Sequence, residues 1–591
     1  MYTPGLKQGS LAKVSKHLGR GKYGLFALLI IVLAVCLRMV LAAVGWPATN
    51  SDEATIGLMA RHIAYNGELP VEFYTRNYLG AVEAYLGAAF FHLFGPSLFT
   101  LRLGIILLYA LFLVSMYLLV SLLYTKKFAL FVLVLLALGS SAMFLRELYA
   151  TGGSTQTLLF GTLAFLLAAW LALTYRQDLP RNRRWLRYAA FAGWGMVVGL
   201  GIWSDMVVLP ILLTASLLLL LCWRDLRSLA PLCLVLGFII GVFPLIIYNL
   251  HAPVGQDSLS MIIGLFHGTN VQAAHTLPQI MRGIEATLNI SLPTATGDPF
   301  CQVPAVNYVT DSSPHALHCI ILHAGWCTGY IVLWLLAVSL TVRKLWQLRG
   351  TRQTDAPEQR REIVLHIARL SLLATAAVAV GSYAVSSGPQ GAPHTHARYI
   401  ITLLIVTPAL IWPIWSAAST SLTSLTKGAL EQRFARSRSV VILSRGILLL
   451  ITMLFLLGTI GIASDLSSSQ QADQQQDQLI ARLEQMGITH MYSDFWTCNR
   501  LIFVSQEKII CGVTDNALLP THNYYPPYYT IVHADPHSSY VYPYDIFQQA
   551  TLLQQADRLG HGFRRSVFEG YIIYQPVEPP AGQARGPIHF T

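Results

Sequence analysis

About eleven stretches of this chain approach the roughly 20 apolar residues that a helix needs to cross a bilayer. They lie near 24–46, 100–123, 128–145, 157–175, 188–204, 207–222, 229–250, 319–342, 363–385, 399–416 and 440–463. Spans in hydrocarbon must satisfy their own backbone hydrogen bonds, so the expected fold class is a polytopic α-helical membrane protein. Composition agrees: 54% of the 591 residues are hydrophobic and only 12% charged, where soluble domains carry about 25% charge. The runs at 188–204 and 207–222 are short and separated only by Ser204 and Asp205. They read as a broken span or a tight hairpin. The first run is long and no small-residue cleavage site precedes the acids that follow it, so a cleaved signal peptide is not expected.

A formal net charge of +11 raises the question of nucleic acid. The placement of the charges answers it. Lys7, Lys13, Lys16, Arg20, Lys22, Lys126, Lys127, Arg176, Arg181, Arg183, Arg184, Arg187, Arg224 and Arg227 fall on one side of the predicted spans, with further groups at 343–369 and 427–445. This is the positive-inside pattern. It predicts an integral plasma-membrane protein with a cytoplasmic N-terminus and membrane lipid, not nucleic acid, as the partner of its basic residues.

The expected organisation is a cytoplasmic tail at 1–23, a helical membrane domain at 24–463 with outer loops 47–98 and 251–318, a polar linker at 464–478, and an outer domain at 479–591. The linker contains SSSQQADQQQDQ, too hydrophilic to form a core. Beyond it, THMYSDF, RLIFVS, KIICGV, YYTIVHA and GYIIYQP read as strands of a small extracytoplasmic α+β domain with a loose Pro/Gly-rich tail. Cys498 and Cys511 flank a predicted hairpin there, and Cys301 and Cys319 bracket part of the second outer loop. Each pair is a disulfide candidate in an oxidising compartment, with free buried thiols as the alternative. No Cys/His set has zinc spacing.

The first outer loop concentrates ionisable residues: Asp52, Glu53, Arg61, Glu68, Glu72, Arg76 and Glu83. Arg102, Arg146, Glu147 and Arg398 stand at the mouths of other spans. Charges at membrane depth cost roughly 2.5–3.5 kcal/mol on insertion scales and generally face a cavity or one another. DEATIGLMARHI reads as an interfacial helix with Asp52 near its N-terminus, where a carboxylate is favoured; a plain helix cap is the bland alternative. RNYLGAVEAYLGAAFFHLFG reads as a second interfacial helix. Glu68 and Glu72 read as solvated loop charges, Arg38 as a snorkelling or paired residue, and GMVVG (Gly195, Gly199) as a helix-packing signal. The Asn289-Ile290-Ser291 sequon is a weak glycosylation signal.

A first span followed by Asp-Glu at the start of a large outer loop resembles the GT-C membrane glycosyltransferases, in particular the group of protein O-mannosyltransferases, lipid A aminoarabinose transferases and Rgt-type enzymes. LFGPSLFTLRLGIILLYALFLVSMYLLVSLLY (93–124) resembles that family's passage into the second helix, with Arg102 in place. GVFPLIIYNL (241–250) resembles its seventh-helix end, and ARYIITLLIVTPAL (397–410) its "RYLLPL" signature through Arg398 and Tyr399. The resemblance covers roughly 24–416. The His-Pro-Pro element common in protein mannosyltransferases is absent, so the acceptor need not be protein.

The resemblance implies a polyprenyl-phosphate sugar as donor substrate, a glycan, lipid or protein as hydroxyl acceptor, no metal and no other cofactor, and inversion at the anomeric carbon. Asp52 is the expected base, taking the acceptor proton, with Glu53 orienting a substrate. Arg61, Arg76, Arg102, Arg146 and Arg398 are candidates for the lipid phosphate, where guanidinium groups stabilise the departing charge. Tyr78, Glu83, Glu147 and Tyr399 are candidate sugar-pocket residues. Two other classes compete. A lipid-linked-sugar transporter or flippase would need polar or broken helices at the midplane, for which Ser204-Asp205 is the one hint. A non-catalytic scaffold would leave the charged first loop without a purpose.

Overall fold

A computed structural model describes residues 21–74, 76–175, 180–253, 255, 257–258, 260, 276–301, 313–350, 356–419, 438–515, 517–544 and 563–577. The chain opens with α1 (Lys22–Ala43), followed by α2 (Ser51–Arg61), a two-stranded ribbon of β1 (Glu72–Phe73) and β2 (Arg76–Gly80), and α3 (Val82–Phe94). Next come α4 (Leu98–Leu123), α5 (Lys126–Ala137), α6 (Ser141–Leu148), α7 (Ser154–Leu173), α8 (Arg181–Ser204), α9 (Leu209–Leu219) and α10 (Ala230–His251). The second outer loop carries α11 (Leu277–Ala286) and α12 (Leu292–Thr296). The bundle ends with α13 (Pro314–Gly350), α14 (Ala356–Ala384), α15 (Leu403–Ala418) and α16 (Arg438–Gln485).

Seven of these helices are long and apolar enough to span a membrane: α1, α4, α7, α10, α13, α14 and α16. Two further runs form bent pairs, α5 with α6 at 89° and Pro393–Ile400 with α15 at 73°, giving up to nine spans among the described residues. The other two expected runs fold differently. The run at 188–204 lies inside α8, whose first turns are Arg-rich, and the run at 207–222 forms a shorter apolar helix after the break at Asp205. Helices α8 and α10 pack through reciprocal glycines. A Cβ on Gly195 would lie 2.1 Å from the Leu234 carbonyl, and one on Gly237 would lie 1.9 Å from that of Ala192. The backbones therefore touch, as the GMVVG motif implies.

The bend between α5 and α6 leaves backbone groups inside the bundle, and a threonine from another span satisfies them. Gly139 N donates to Thr459 Oγ1 at 3.0 Å, and that hydroxyl donates to the Gly139 carbonyl at 3.2 Å. Arg38 on α1 neither snorkels nor meets lipid. Its Nε donates to Glu147 Oε2 at 3.1 Å and its Nη1 to the Ala137 carbonyl at 2.9 Å, with the rings of Tyr109 and Phe144 on either side.

The stretch 464–478 is not a linker. It is part of α16, which runs unbroken for 48 residues, about 72 Å at the α-helical rise. Gln is a good helix former, and the exposed turns are anchored sideways. Gln470 donates to the Val44 carbonyl, and Arg500 to Asp473 at 2.8 Å. The helix thus carries the outer domain on a rigid stalk.

That domain contains β3 (His490–Ser493), α17 (Phe495–Val504), β4 (Ile510–Val513), α18 (Pro526–Ala534), β5 (Ser539–Pro543), β6 (Phe563–Phe568) and β7 (Tyr571–Pro576). Its sheet has the order β4-β3-β5-β7-β6. Strand β3 is parallel to β4 and β5, and β7 is antiparallel to β5 and β6. Parallel neighbours require crossovers, and α17 and α18 provide them. RLIFVS and YYTIVHA, read as strands from their Ile, Val and Tyr content, are therefore helical. Cys498 on α17 is disulfide-bonded to Cys511 on β4, with Cα atoms 5.3 Å apart, so the pair closes a helix–strand unit, not a hairpin. Cys301 is bonded to Cys319 at a Cα separation of 5.7 Å.

Helix α2 is not interfacial either. Ala54 to Ala60 are all buried, packed between α3 and α17 in one apolar core with Leu501, Ile502 and Phe503 of the outer domain. Glu507 clamps the edge of this contact. Its carboxylate accepts from Arg61 Nε and from Tyr528 Oη at 2.7 Å, and lies 3.1 Å from His62 Nε2. Glu68 accepts from Tyr74 and Tyr525, and Glu72 is buried, so neither is a solvated loop charge.

The His62 hydrogen bond, followed by those of Tyr528 and Arg61, holds the Glu507 carboxyl down at about 2 from its ordinary 4.5. The unfolded chain takes up this proton first as pH falls. The stabilisation is therefore complete above pH 4.5 and is lost on acidification toward about 2. Glu507→Gln should weaken docking by about 1–3 kcal/mol at neutral pH. Hydrogen exchange should rise in α2 and α17 together; unchanged protection would count against the clamp.

Candidate active site

The end of the bundle nearest the C-terminal domain is organised around YATGGS (149–154), the connection from α6 to α7. Gly152 (φ +87) and Gly153 (φ +94) both take left-handed backbone. At Gly153 the close approach is absolute: a Cβ would stand 1.8 Å from Asp205 Oδ2.

Acids from three remote parts of the chain meet this segment. Glu53 Oε1 accepts from Ala150 N at 3.4 Å, Glu83 Oε2 accepts from Gly152 N at 3.0 Å, and Asp205 lies against Gly153 while accepting from Val207 N at 3.0 Å. Two arginines border it. Arg398 Nη1 donates to the Thr151 carbonyl at 3.5 Å and Nη2 to Tyr399 Oη at 3.4 Å, and its charge is felt at Asp205. Arg146 Nη2 donates to the His394 carbonyl at 3.2 Å, while its Nη1 is buried with no hydrogen-bond partner among the described residues. The two guanidinium groups are near enough to interact.

Asn50, not Asp52, caps α2: its side chain accepts from Glu53 N at 2.8 Å. Asp52 and Glu53 then share the first turn, where the helix dipole favours carboxylates. Adjacent positions point apart, and their fates differ. Glu53 is fully buried and forms a bidentate pair with Arg102 at 2.9 and 2.7 Å, and Arg102 also donates to the Pro47 carbonyl at 2.8 Å. Asp52 is half-buried.

Several expected roles are thereby reassigned. Arg102 is paired with Glu53 through Nε and Nη2, with its Nη1 buried and without a hydrogen-bond partner among the described residues, and Glu53 is taken up by that pair. Arg61 is committed to Glu507 in the outer domain. Glu147 is fully buried against Arg38, so it lines no sugar pocket. Arg76 and Tyr78 lie on β2, and their side chains fall outside the described residues. Glu83, Arg146, Arg398 and Tyr399 remain at or beside the glycine segment, and Asp52 stands half-buried on the first turn of α2.

A second polar group, which the sequence reading did not single out, lies below. His323 Nδ1 faces the Asn289 carbonyl at 2.8 Å, and Nε2 faces the Phe300 carbonyl at 3.3 Å and Asp298 Oδ2 at 3.4 Å. His323 and Arg146 are both felt at His394. Beneath is an apolar groove of about 380 Å³ between α13, α15 and α16, with Trp326, Tyr330, Ile411, Leu450 and Phe455 among its walls and Thr296 and Phe300 at its polar end. Gly297, next to Thr296 of the groove wall, wedges between Met143, one turn before Arg146 on α6, and Phe455. The histidines of PHTHARY and the lone Asp205 were visible signals; the groove was not, because its walls are ordinary span residues. Among the described residues no group of three or more His, Cys, Asp or Glu is arranged around a common metal position.

No protein-family model matches the chain, and no curated protein matches it in sequence. Solved structures do. The chain is similar to ArnT from Cupriavidus metallidurans bound to undecaprenyl phosphate, with a TM-score of 0.52 at 12% identity over 94% of this chain and 99% of that one. The apo state of the same protein aligns at 0.51 and 13% identity, over 93% and 97%. The oligosaccharyltransferase of Archaeoglobus fulgidus, tethered with an acceptor peptide, aligns at 0.49 and 14%, over 94% and 74%. The two ArnT alignments support a GT-C-like fold, as the motif order implied.

Burial raises the Glu83 carboxyl to about 7 from 4.5, partly offset by the amides of Gly152 and Gly153 and the side chain of Gln156. The folded state thus holds a proton that the unfolded chain has released, and stability falls as pH rises from 4.5 to about 7, then levels. Glu83→Gln should flatten that slope, worth roughly 3 kcal/mol across the window. Chemical denaturation at several pH values reads it directly; an unaltered slope would exclude Glu83 as its source. Gly153→Ala should cost more than 3 kcal/mol or abolish folded yield, through both the left-handed backbone and the Asp205 clash.

Proposed function

We propose that this protein is a membrane glycosyltransferase, transferring a sugar from a polyprenyl-phosphate donor to a hydroxyl acceptor at the outer face of the membrane, without a metal and with inversion. One observation carries the reading. An apolar groove among the helices has Thr296 and Phe300 in its wall, and the neighbouring Gly297 packs on Met143, one turn before Arg146 on α6. A lipid tail fits such a groove, and an anionic phosphate fits a guanidinium group such as that of Arg146. The ArnT structure with undecaprenyl phosphate supports the donor class. The sugar and the acceptor (glycan, lipid or protein) stay unspecified.

The residues then divide the work. Arg146, whose Nη1 has an unspent donor, and Arg398 grip the phosphate and stabilise the negative charge it gains as the glycosidic bond breaks. Asp52, half-buried on the first turn of α2, takes the proton from the attacking hydroxyl. Its charge also favours the oxocarbenium character of the transition state. Tyr399 and Glu83 shape the sugar side, Glu83 by holding Gly152 in place. The Glu53–Arg102 pair fixes α2, and with it the base. The positive-inside distribution supports a reading with this end outside and the N-terminus in the cytoplasm.

Asp52→Asn should lower transfer from a labelled polyprenyl-phosphate sugar in proteoliposomes by about 100-fold or more, with the melting temperature preserved. Arg146→Ala should raise the donor KM by roughly tenfold. Full transfer by Asp52→Asn would remove the base. Movement of donor between leaflets without transfer would replace the enzyme with a flippase.

A further inference from the structure

The seam between α2 and the outer domain carries a cluster of aromatic rings to which the transfer chemistry gives no role. Phe495 opens α17, and its carbonyl accepts from Ser51 Oγ at 2.5 Å, so it is bonded to the residue before Asp52. Its ring lies 5.0 Å from that of Trp496, 5.1 Å from Tyr524 and 5.7 Å from His522, centroid to centroid. Tyr524 is buried and meets Phe73 of β1 at 5.6 Å, whereas Trp496 is 61% exposed. We propose that Trp496, backed by Phe495 and His522, is the stacking platform for a saccharide acceptor, whose hydroxyl it presents to Asp52. The proposal rests on the transferase reading above and assigns the acceptor class within it.

Hydrogen bonds fix both elements that carry these rings. Asp494 caps α17, its Oδ1 accepting from Trp496 N at 2.8 Å. His522 comes from the loop after β4, which Asn523 ties down as a strand would: its Oδ1 accepts from Val513 N at 2.8 Å and its Nδ2 donates to the Val513 carbonyl at 2.9 Å. At the other end of the loop, Asp515 Oδ1 accepts from Leu519 N at 2.9 Å. The loop holds His522 at φ +44, a left-handed backbone that residues other than glycine adopt rarely. Such strain persists where the surroundings impose it, and here it sets an exposed ring beside Phe495.

The chemistry of the patch selects the occupant. The face of an aromatic ring is electronegative, and the C–H groups on one face of a pyranose complement it while the hydroxyls turn outward. The stretches 494–499 and 513–525 hold Asp494 and Asp515 and no Lys or Arg, so the rim suits a neutral sugar and repels an anionic lipid headgroup. A peptide is often bound by pairing with a free sheet edge, but at the edge strand β4 both main-chain groups of Val513 are taken by Asn523. The donor approaches from elsewhere. Successive helix residues are about 100° apart; Ser51 faces α17, Glu53 faces Arg102 in the bundle, and Asp52 stands between those two directions. The base therefore lies between the platform and the glycine segment that Glu53 touches.

The test uses the full chain in phosphatidylcholine nanodiscs, without donor so that nothing turns over. Saturation-transfer NMR compares maltohexaose, cellohexaose and chitohexaose with a hexapeptide of alanine, serine and threonine. Ring C–H protons of at least one hexasaccharide should be saturated, with the peptide silent. Trp496→Ala should weaken that binding roughly tenfold, and Trp496→Phe, which keeps an aromatic face, should recover most of it. No saturation of any hexasaccharide (the result for a ring sunk in lipid), stronger saturation of the peptide, or full binding by Trp496→Ala would each overturn the platform. The first two readouts need no variant, so misfolding of a substituted chain does not shelter it. Binding is read without chemistry: an active Asp52→Asn would remove the base and leave these results untouched, which keeps failure of the platform distinct from failure of the transferase reading.

Discussion

The half of this molecule that joins the bundle to the C-terminal domain hangs on one buried ion pair, Glu53 with Arg102. Both side chains are fully withdrawn from solvent, and a pair so placed costs several kcal/mol per ion in desolvation. Only near-ideal geometry offsets that cost, and the pair has it: two parallel hydrogen bonds, with further bonds to the Pro47 carbonyl and from Ala150 N. Those extra partners belong to the exit of α1 and to the glycine segment. A single interaction therefore sets α2 against α4, and sets both against the loop that separates Arg146 from Gly153. Replacing either partner would strand a charge, which explains why a membrane protein keeps two charged groups there at all.

The same helix that carries this pair is also the seat of the outer domain. Helix α2 buries one side on α3 and the other on α17, so the membrane bundle and the C-terminal sheet share a core. Gly57 allows the closest contact, since a Cβ there would run into the Phe503 ring at 2.6 Å. With α16 continuing unbroken from the span into the domain, the sheet is tethered twice, once covalently by a stiff rod and once by packing. A domain held in this way is part of the site's wall, and motions that reposition Asp52 must involve it.

The sequence made the spans legible because hydrocarbon allows no alternative to long apolar helices. It made the charged mouth legible as a set, since ionisable residues near spans are rare enough to notice. It did not reveal who pairs with whom. Arg61 meets Glu507 across 446 residues and Arg38 meets Glu147 across 109, and nothing in composition or period encodes such partners. The polar run at 464–478 misled for a related reason: hydrophilicity excludes a core position but not a helix anchored along one side. RLIFVS and YYTIVHA misled because short β-branched and aromatic runs fit a crossover helix as well as a strand.

Distance between charged groups finally separates two kinds of arginine in this protein. Arg38, Arg61 and Arg102 each meet a carboxylate within hydrogen-bonding distance, and each fixes one element to another. Arg146 and Arg398 instead donate to main-chain carbonyls and a tyrosine and lie near one another. Two like charges side by side repel, and the nearby Asp205 compensates only in part. An arrangement of this kind is relieved by an anion that enters and leaves, which a permanent carboxylate partner would prevent. The paired arginines are the scaffold, and Arg146 and Arg398 are the ones that the proposed function assigns to a lipid-borne phosphate.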